Sequence, residues 1–246
     1  YQTLDRAGNL ENVNIKDIKI DDEEPTVNII FPFDGQKILH SEQMDIFFDV
    51  LDDYSGIDFN QTVIKLDGQD LSTSTIDLFS YGLGGHSLKV GARDLAGNVS
   101  SSTIKFIVSA NIDSTIADVS RSYQEKLIAK KFVYNSITQE LISVRNIMLR
   151  FAETQKNEER LNKLSDKCAK MKNGQLCKKI TEKWYNAVNY RLNKITQKVI
   201  QIRLMVLLNE IKLYHKKKLI NDRGFDIISN DIMWVINDIK EGGDCK

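Results

Sequence analysis

The chain has 246 residues, 41% of them hydrophobic and 28% charged, which is enough apolar surface for one large or two modest cores. Its longest apolar stretch, Val199 to Leu208, is broken by Gln201 and Arg203. That falls short of the ~20 residues needed to cross a bilayer, so a transmembrane helix is excluded. The formal net charge of +0 hides a division: residues 1–110 carry 18 acidic and 8 basic side chains, and residues 111–246 carry 16 and 26. Such asymmetry marks a domain boundary and predicts attraction between the halves or between neighbouring copies.

Taken in chain order, the first feature is a pentapeptide that occurs twice, as Asp5-Arg-Ala-Gly-Asn9 and Asp94-Leu-Ala-Gly-Asn98. The spacing, roughly ninety positions, is that of one β-sandwich repeat in a tandem array. Residues 1–20 then read as the C-terminal hairpin of a preceding repeat, 21–24 as a linker and 25–108 as a complete sandwich. An isolated hairpin is at best marginal in water. Residues 1–20 are therefore expected to pair with strands from outside this chain, and Tyr1 is not expected to be the natural start.

From Pro25 the pattern has period two. Ile46, Phe48 and Val50 alternate with Asp45, Phe47 and Asp49; Thr62 to Leu66 alternates and ends in the turn pair Asp67-Gly68; Leu88, Val90 and Ala92 alternate again; and Thr103 to Val108 closes the series. In the second pentapeptide, Gly97 supplies a positive φ and Asn98 tolerates the same region. Asp94 is placed to accept hydrogen bonds from turn amides, and Ala96 is small enough to tuck beneath them.

Gly85-His-Ser-Leu-Lys-Val-Gly-Ala-Arg-Asp-Leu-Ala-Gly-Asn98, with Phe31-Pro-Phe-Asp-Gly35 and Asp53-Tyr-Ser-Gly-Ile57 upstream, resembles the bacterial and archaeal Ig-like repeats of large secreted or surface proteins. The resemblance covers residues 25–108 and the hairpin of residues 1–20. It implies an Ig-like β-sandwich, an extracellular or cell-surface setting and a place in a longer chain, and it names no activity.

Asp21-Asp22-Glu23-Glu24 forms an acidic linker, and Asp52-Asp53 is a second acidic pair. Asp21, Asp22, Asp52 and Asp53 are candidate Ca2+ ligands, because Ca2+ takes carboxylate and turn-carbonyl oxygens and a linker site would stiffen adjacent modules. The competing reading is a solvated acidic linker. Asn60-Gln-Thr62 and Asn98-Val-Ser100 match the glycosylation acceptor pattern at Asn60 and Asn98. His40, His86 and His215 are scattered and read as turn or core residues.

From about Ser114 the period becomes helical, and residues 114–240 read as an antiparallel α-helical bundle with a flexible tail at 241–246. Ser114, with Asp118 four positions on, is the expected cap of a first helix reaching Leu127. A second stripe runs through Val133, Ile137, Leu141, Val144, Met148 and Phe151, and a third helix is expected over 158–171. The longest helix begins near Lys178 with Ile180, Trp184, Val188, Leu192, Ile195, Val199, Ile202 and Val206 as its buried stripe. The last spans about Phe225 to Ile239. Segments 126–137 and 220–239 are similar to a helical module at the ends of large bacterial extracellular enzymes and surface proteins, which commonly follows Ig-like repeats.

Cys168 and Cys177 flank the turn pair Asn173-Gly174, and a disulfide between them is expected, against two free thiols; Cys245 is left over. Lys178, Lys179, Lys183, Arg191, Lys194, Lys198 and Arg203 line the long helix. Solvated faces are the default reading, then contact with an acidic neighbour or an anionic cell-wall polymer; nucleic acid is not expected. No phosphate-cradling glycine loop, nucleophile elbow or His-Glu-x-x-His pair occurs.

The expected role is thus a non-catalytic structural or assembly module, whose partners are the rest of a parent chain or neighbouring subunits. The alternatives are the accessory tail of a secreted subtilisin-like protease or glycosidase, and a glycan-binding or adhesion module using Phe31, Phe33 and Tyr81.

Overall fold

The computed structural model describes residues 6–8, 19–155, 163, 166–167, 170 and 174–241. Among them strands precede helices, in the order β1 (Thr26–Phe31), β2 (Lys37–Leu39), β3 (Gln43–Asp45), β4 (Phe47–Leu51), β5 (Val63–Leu66), β6 (Gln69–Leu71), β7 (Thr75–Asp77), β8 (Gly84–Arg93) and β9 (Val99–Ser109). Four helices follow: α1 (Ile112–Gln124), α2 (Lys131–Gln155), α3 (Gly174–Lys216) and α4 (Asp222–Lys240). The sandwich-then-helices class expected from the two periods is what the chain adopts. The expected hairpin of residues 1–20 and the helix of 158–171 lie largely outside the described residues.

The chain forms two compact units. The first draws on Tyr1–Asp34, Asp45–Ser74 and Ser87–Lys105. In it β1 runs antiparallel to β4, with Thr26 opposite Leu51 and Ile29 opposite Phe48, and a bulge falls before Phe31. β5 lies between β6 and β8, both antiparallel to it. Alternation decides which side chains are covered: Ile46 is buried, Phe48 and Val50 are half-buried, and Asp45, Phe47 and Asp49 face water. Asp67 and Gly68 both have positive φ (51° and 82°), the conformation a two-residue hairpin turn requires. The Asp67 carboxylate accepts a hydrogen bond from the Ser87 amide at 2.9 Å.

The second unit draws on Gly35–Met44, Thr75–His86 and Phe106–Lys246. Here β2 runs parallel to the end of β9, with Lys37 opposite Ile107, and β3 pairs with β7. A 3-10 turn over Leu78–Ser80 buries Leu78 and Phe79. Helix α1 starts two residues earlier than Ser114. Asn111 is its cap, accepting from the Ser114 amide at 2.8 Å, while the Ser114 hydroxyl accepts from the Asn111 amide at 2.9 Å. Ser114 is thus the reciprocal partner in a capping box rather than the cap, and Asp118 is buried, well clear of the helix end.

Each helix packs on the next, and α4 returns to α1, closing a ring. Its core is built from Val133, Ile137, Leu141 and Val144 of α2, Ile200, Leu204, Leu207 and Ile211 of α3, and Ile228, Ile232 and Ile236 of α4, all fully buried. The stripes expected on α2 and α4 are the buried ones, with Phe151 half-buried at the end of the first.

The stripe expected on α3 is not. Ile180, Leu192, Ile195, Val199, Ile202 and Val206 are exposed by 41 to 61%, and the helix buries the opposite face instead. The side chains of Trp184 and Val188 lie outside the described residues. Both faces of this helix are apolar, so periodicity alone could not say which one meets the core.

The two helix–loop–helix connections mirror each other. Lys126-Leu127-Ile128 follows α1 and Lys218-Leu219-Ile220 follows α3. Ile128 and Ile220 form an antiparallel bridge, with the Ala129 amide donating to Leu219 O at 2.8 Å and the Asn221 amide to Leu127 O at 3.0 Å.

Candidate functional site

The second pentapeptide makes the turn between β8 and β9. Gly97 has φ +108°, which side chains with a Cβ resist. Asp94, 1% exposed, accepts on Oδ1 from the amides of Gly97 (2.6 Å) and Asn98 (2.8 Å), and on Oδ2 from the Asn98 side chain (2.7 Å). Burial pushes this carboxyl up, but the Asn98 side chain and the amides of Asn98, Gly97 and Ala96 outweigh it and hold it below the ordinary carboxylate range. Two expectations change. Asn98 is not in the left-handed region, and its side chain bridges instead, while Ala96 is exposed rather than tucked under the turn.

That bridge reaches the linker. The Asn98 side-chain amide donates to Glu23 O (2.9 Å) and Asp21 O (3.2 Å). The Asp21 carboxylate accepts from the amides of Glu23 and Ser55, each at 3.1 Å. Asp52 accepts from the amides of Tyr54 (3.1 Å) and Gly56 (2.5 Å). One carboxylate oxygen from each of Asp21, Asp52 and Asp94 lies within 4.8 Å of the others, so the three together could hold a hard cation. Of the four predicted ligands, Asp21 and Asp52 are brought together, while Asp22 and Asp53 are exposed and stand outside the group. Asp94 joins them because the turn that buries it is the one the linker crosses.

A second cluster lies in the helical unit. His40 follows β2, Asp118 is in the middle of α1 and Asp231 is in the middle of α4; their exposures are 2%, 0% and 0%. His40 Nδ1 is 2.9 Å from Asp118 Oδ2 and 3.6 Å from Asp231 Oδ1. His40 Nε2 is 3.0 Å from Tyr81 O, which can only accept, so Nε2 carries the hydrogen. Both oxygens of Asp231 and Oδ1 of Asp118 are buried without a hydrogen-bond partner. Burial, then the charge of Asp118 beside it, pushes Asp231 well above the ordinary carboxylate range.

Beside this cluster Phe79 packs on the His40 ring (centroids 5.6 Å apart), and the Arg121 guanidinium sits 4.2 Å over Phe79. Arg121 is fully engaged, pairing with both oxygens of Asp77 and with Glu125. Its hydrogen bond outweighs burial and holds Asp77 below the usual range.

The remaining candidates are dispersed. His86 Nε2 meets Gly82 O at 2.8 Å, and its ring stacks on Phe106; His215 pairs with Asp222 and stacks on Phe225. Phe33 is 60% exposed, whereas Phe31 is half-buried against Phe47 and Tyr81 is half-buried against His86. Asn60 is exposed, and the Asn98 side chain is occupied by the linker. Cys177, in the first turn of α3, is disulfide-bonded; Cys168 and Cys245 lie outside the described residues, as do Asp5 and Asn9. Gly8 is described and has φ +87°. Lys178, Lys179, Lys183, Arg191, Lys194 and Lys198 are exposed on α3, and Arg203 is tied to Glu140 (3.1 Å) and Ser143 (2.7 Å) of α2. No described helix is long and apolar enough to cross a membrane.

No protein-family model matches the chain, and neither does any curated protein. Among solved structures it is similar to the fibronectin(III)-like modules of Clostridium thermocellum CbhA, at 15% identity and a TM-score of 0.30. That match covers 44% of this chain and 58% of the other. So faint a likeness supports no inference about activity.

Proposed function

We propose that the chain is a non-catalytic structural and assembly module of a larger extracellular or cell-surface protein, of the surface-layer, filament or spacer type. The observation that carries this reading is the uncovered face of α3. Leu192, Ile195, Val199, Ile202 and Val206 follow the three-and-four spacing of a coiled-coil seam, and every one is exposed by at least 41% while the opposite face fills the core. A seam of this kind serves a helical partner, and the neighbouring subunit is the partner it fits. The opposite charges of the two sequence halves favour head-to-tail contact between copies, and such a heterologous contact propagates when its rotation does not close a ring.

Within the array, the Asp21–Asp52–Asp94 cluster holds Ca2+ and fixes the linker to the sandwich.

Sedimentation of the purified chain across protein concentration tests the reading. Val199→Lys with Val206→Lys should abolish self-association while leaving helical circular dichroism unchanged. A chain that stays monomeric at every concentration and salt, or a double variant that associates as before, overturns it. A catalytic domain upstream of Tyr1 would favour the hydrolase-tail alternative instead.

A further inference from the structure

We propose that His40, Asp118 and Asp231 are the ligands of a divalent transition-metal ion of the zinc type, clamped inside the second unit. This rests on observations separate from those behind the assembly reading and stands without it.

Charge comes first. Two carboxylates with no access to water face one another, and three of their four oxygens have no hydrogen-bond donor. A buried, unpaired carboxylate is tolerated only when a cation or a proton compensates it. The nearby guanidinium groups are committed elsewhere: Arg121 to Asp77 and Glu125, and Arg223 to Glu125 at 3.6 Å. Among the described residues no lysine or arginine forms an ion pair with Asp118 or Asp231. His40 does not resolve the conflict in its neutral form. With Nε2–H given to Tyr81 O, a neutral ring would set a lone pair on Nδ1 against Asp118 Oδ2, and a protonated ring would bring one donor and one positive charge to two carboxylates. One divalent ion bound by a neutral imidazole and two carboxylates leaves the site with no net charge.

The geometry agrees. Ligands at ~2.0–2.1 Å from a tetrahedral zinc stand about 3.3 Å from each other. The distances from His40 Nδ1 to the two carboxylates are 2.9 and 3.6 Å, which bracket that value. All three ligand atoms lie within 4.8 Å of one another. The Nε2 contact with Tyr81 O is the outer hydrogen bond that metal-binding histidines usually make to fix tautomer and ring plane. A mixed nitrogen and oxygen set of three suits zinc better than Ca2+, which asks for six to eight oxygens. A water completes the tetrahedron.

The ligands come from the loop after β2, from α1 and from α4, so the ion ties three distant stretches of chain. Their burial leaves no direct route from solvent, and the ion must be captured as the chain folds.

The full chain is therefore unfolded in denaturant with chelator and refolded with or without one equivalent of Zn2+. Metal is then counted after desalting, and melting is followed by circular dichroism. The wild type should retain about one zinc per chain and melt higher than the zinc-free sample. Asp231→Asn keeps the shape but removes a charge; it should fold and retain at least tenfold less zinc, whereas Asp21→Asn should retain as much as the wild type. X-ray absorption of the wild type should show nitrogen and oxygen ligands with one imidazole and no sulfur, a readout that holds even if Asp231→Asn fails to fold. A wild type that refolds without retaining zinc, equal retention by folded Asp231→Asn, or sulfur in the coordination shell overturns the proposal. In the first case the cluster holds protons instead.

Discussion

Lys126 and Lys218 adopt the same left-handed conformation, with φ 61° and 57°, one after the end of α1 and the other after the end of α3. Each lies within the same pair of closing hydrogen bonds. The Leu127 amide donates to Ser122 O (2.8 Å) and the Lys126 amide to Tyr123 O (3.1 Å). In the other loop the Leu219 amide donates to Tyr214 O (2.9 Å) and the Lys218 amide to His215 O (2.8 Å). These are the crossed bonds of a glycine-type helix stop made by a residue that carries a Cβ.

Both lysines are exposed, so relief of that strain can be measured without disturbing packing. The left-handed region costs a non-glycine residue about 1–2 kcal/mol, and glycine returns part of the gain as unfolded-chain entropy. Lys126→Gly and Lys218→Gly are each expected to stabilise the chain by roughly 0.5–1 kcal/mol. Denaturant melts read this out, and a loss of stability in both variants would contradict the geometry.

Gly224 makes the opposite case. A Cβ there would lie 2.9 Å from Leu127 Cβ and 3.2 Å from Ile220 Cγ2, both close to the backbone of the paired loops. Gly224→Ala should therefore destabilise by about 1–3 kcal/mol through overpacking, despite the better helix propensity of alanine. An unchanged melting temperature would show that α4 shifts freely relative to the loop.

The Arg121–Asp77 pair sets an acid limit. Asp77 titrates below its ordinary value of 3.8 in the folded chain. A depressed carboxyl contributes stability that is present above the unfolded value and lost as pH falls through the folded one. Asp77→Asn should thus be less stable than the wild type near neutrality, by no more than about 1 kcal/mol because the pair is partly exposed. The difference should vanish well below pH 3.8, and thermal melts of both proteins from pH 7 to 2 would show whether the curves converge.

For the linker site, millimolar Ca2+ is expected to raise the melting temperature of the wild type by a few degrees through binding to the folded state alone. Asp21→Asn is the informative variant, because Asp94 also holds its own turn. Calorimetry that finds the same Ca2+ effect in Asp21→Asn would place the ion elsewhere.

The expected partner of Cys177 is Cys168, and closing so short a loop should stabilise the chain by roughly 2–3 kcal/mol in the chain-entropy model. Peptide mapping of native material should recover the two residues in one linked fragment; a link from Cys177 to Cys245 would reassign the pairing.

Much of this architecture is legible from side-chain spacing. Ile46, Leu88 and Val90 alternate because a strand turns one face to the core, and Asp67-Gly68 announces its hairpin because few residue pairs accept two positive φ values. The α3 error has an equally local cause. The seam of Leu192, Ile195, Val199, Ile202 and Val206 and the buried set of Ile200, Leu204, Leu207 and Ile211 keep the same three-and-four spacing, so nothing in the pattern ranks one face above the other. The His40 cluster had a fainter mark. Asp231 sits among Ile228, Ile232 and Val235 on an inward stripe where a charge is out of place, yet nothing local connects it to His40 or Asp118, which only tertiary folding brings near.

The contact between Asn98 and the backbone of Asp21 and Glu23 also has a mechanical meaning. Tension arriving from residues ahead of Asp21 does not pass along the backbone into β1 alone. It is shared at once with the β8–β9 turn and, through the Asp21 carboxylate, with the loop at Ser55. Bonds loaded together yield together, so these contacts would make the entrance to the module a stiff coupling rather than a free swivel. A string of modules joined in this way would bend as an elastic rod, and its compliance would be set by one asparagine per joint.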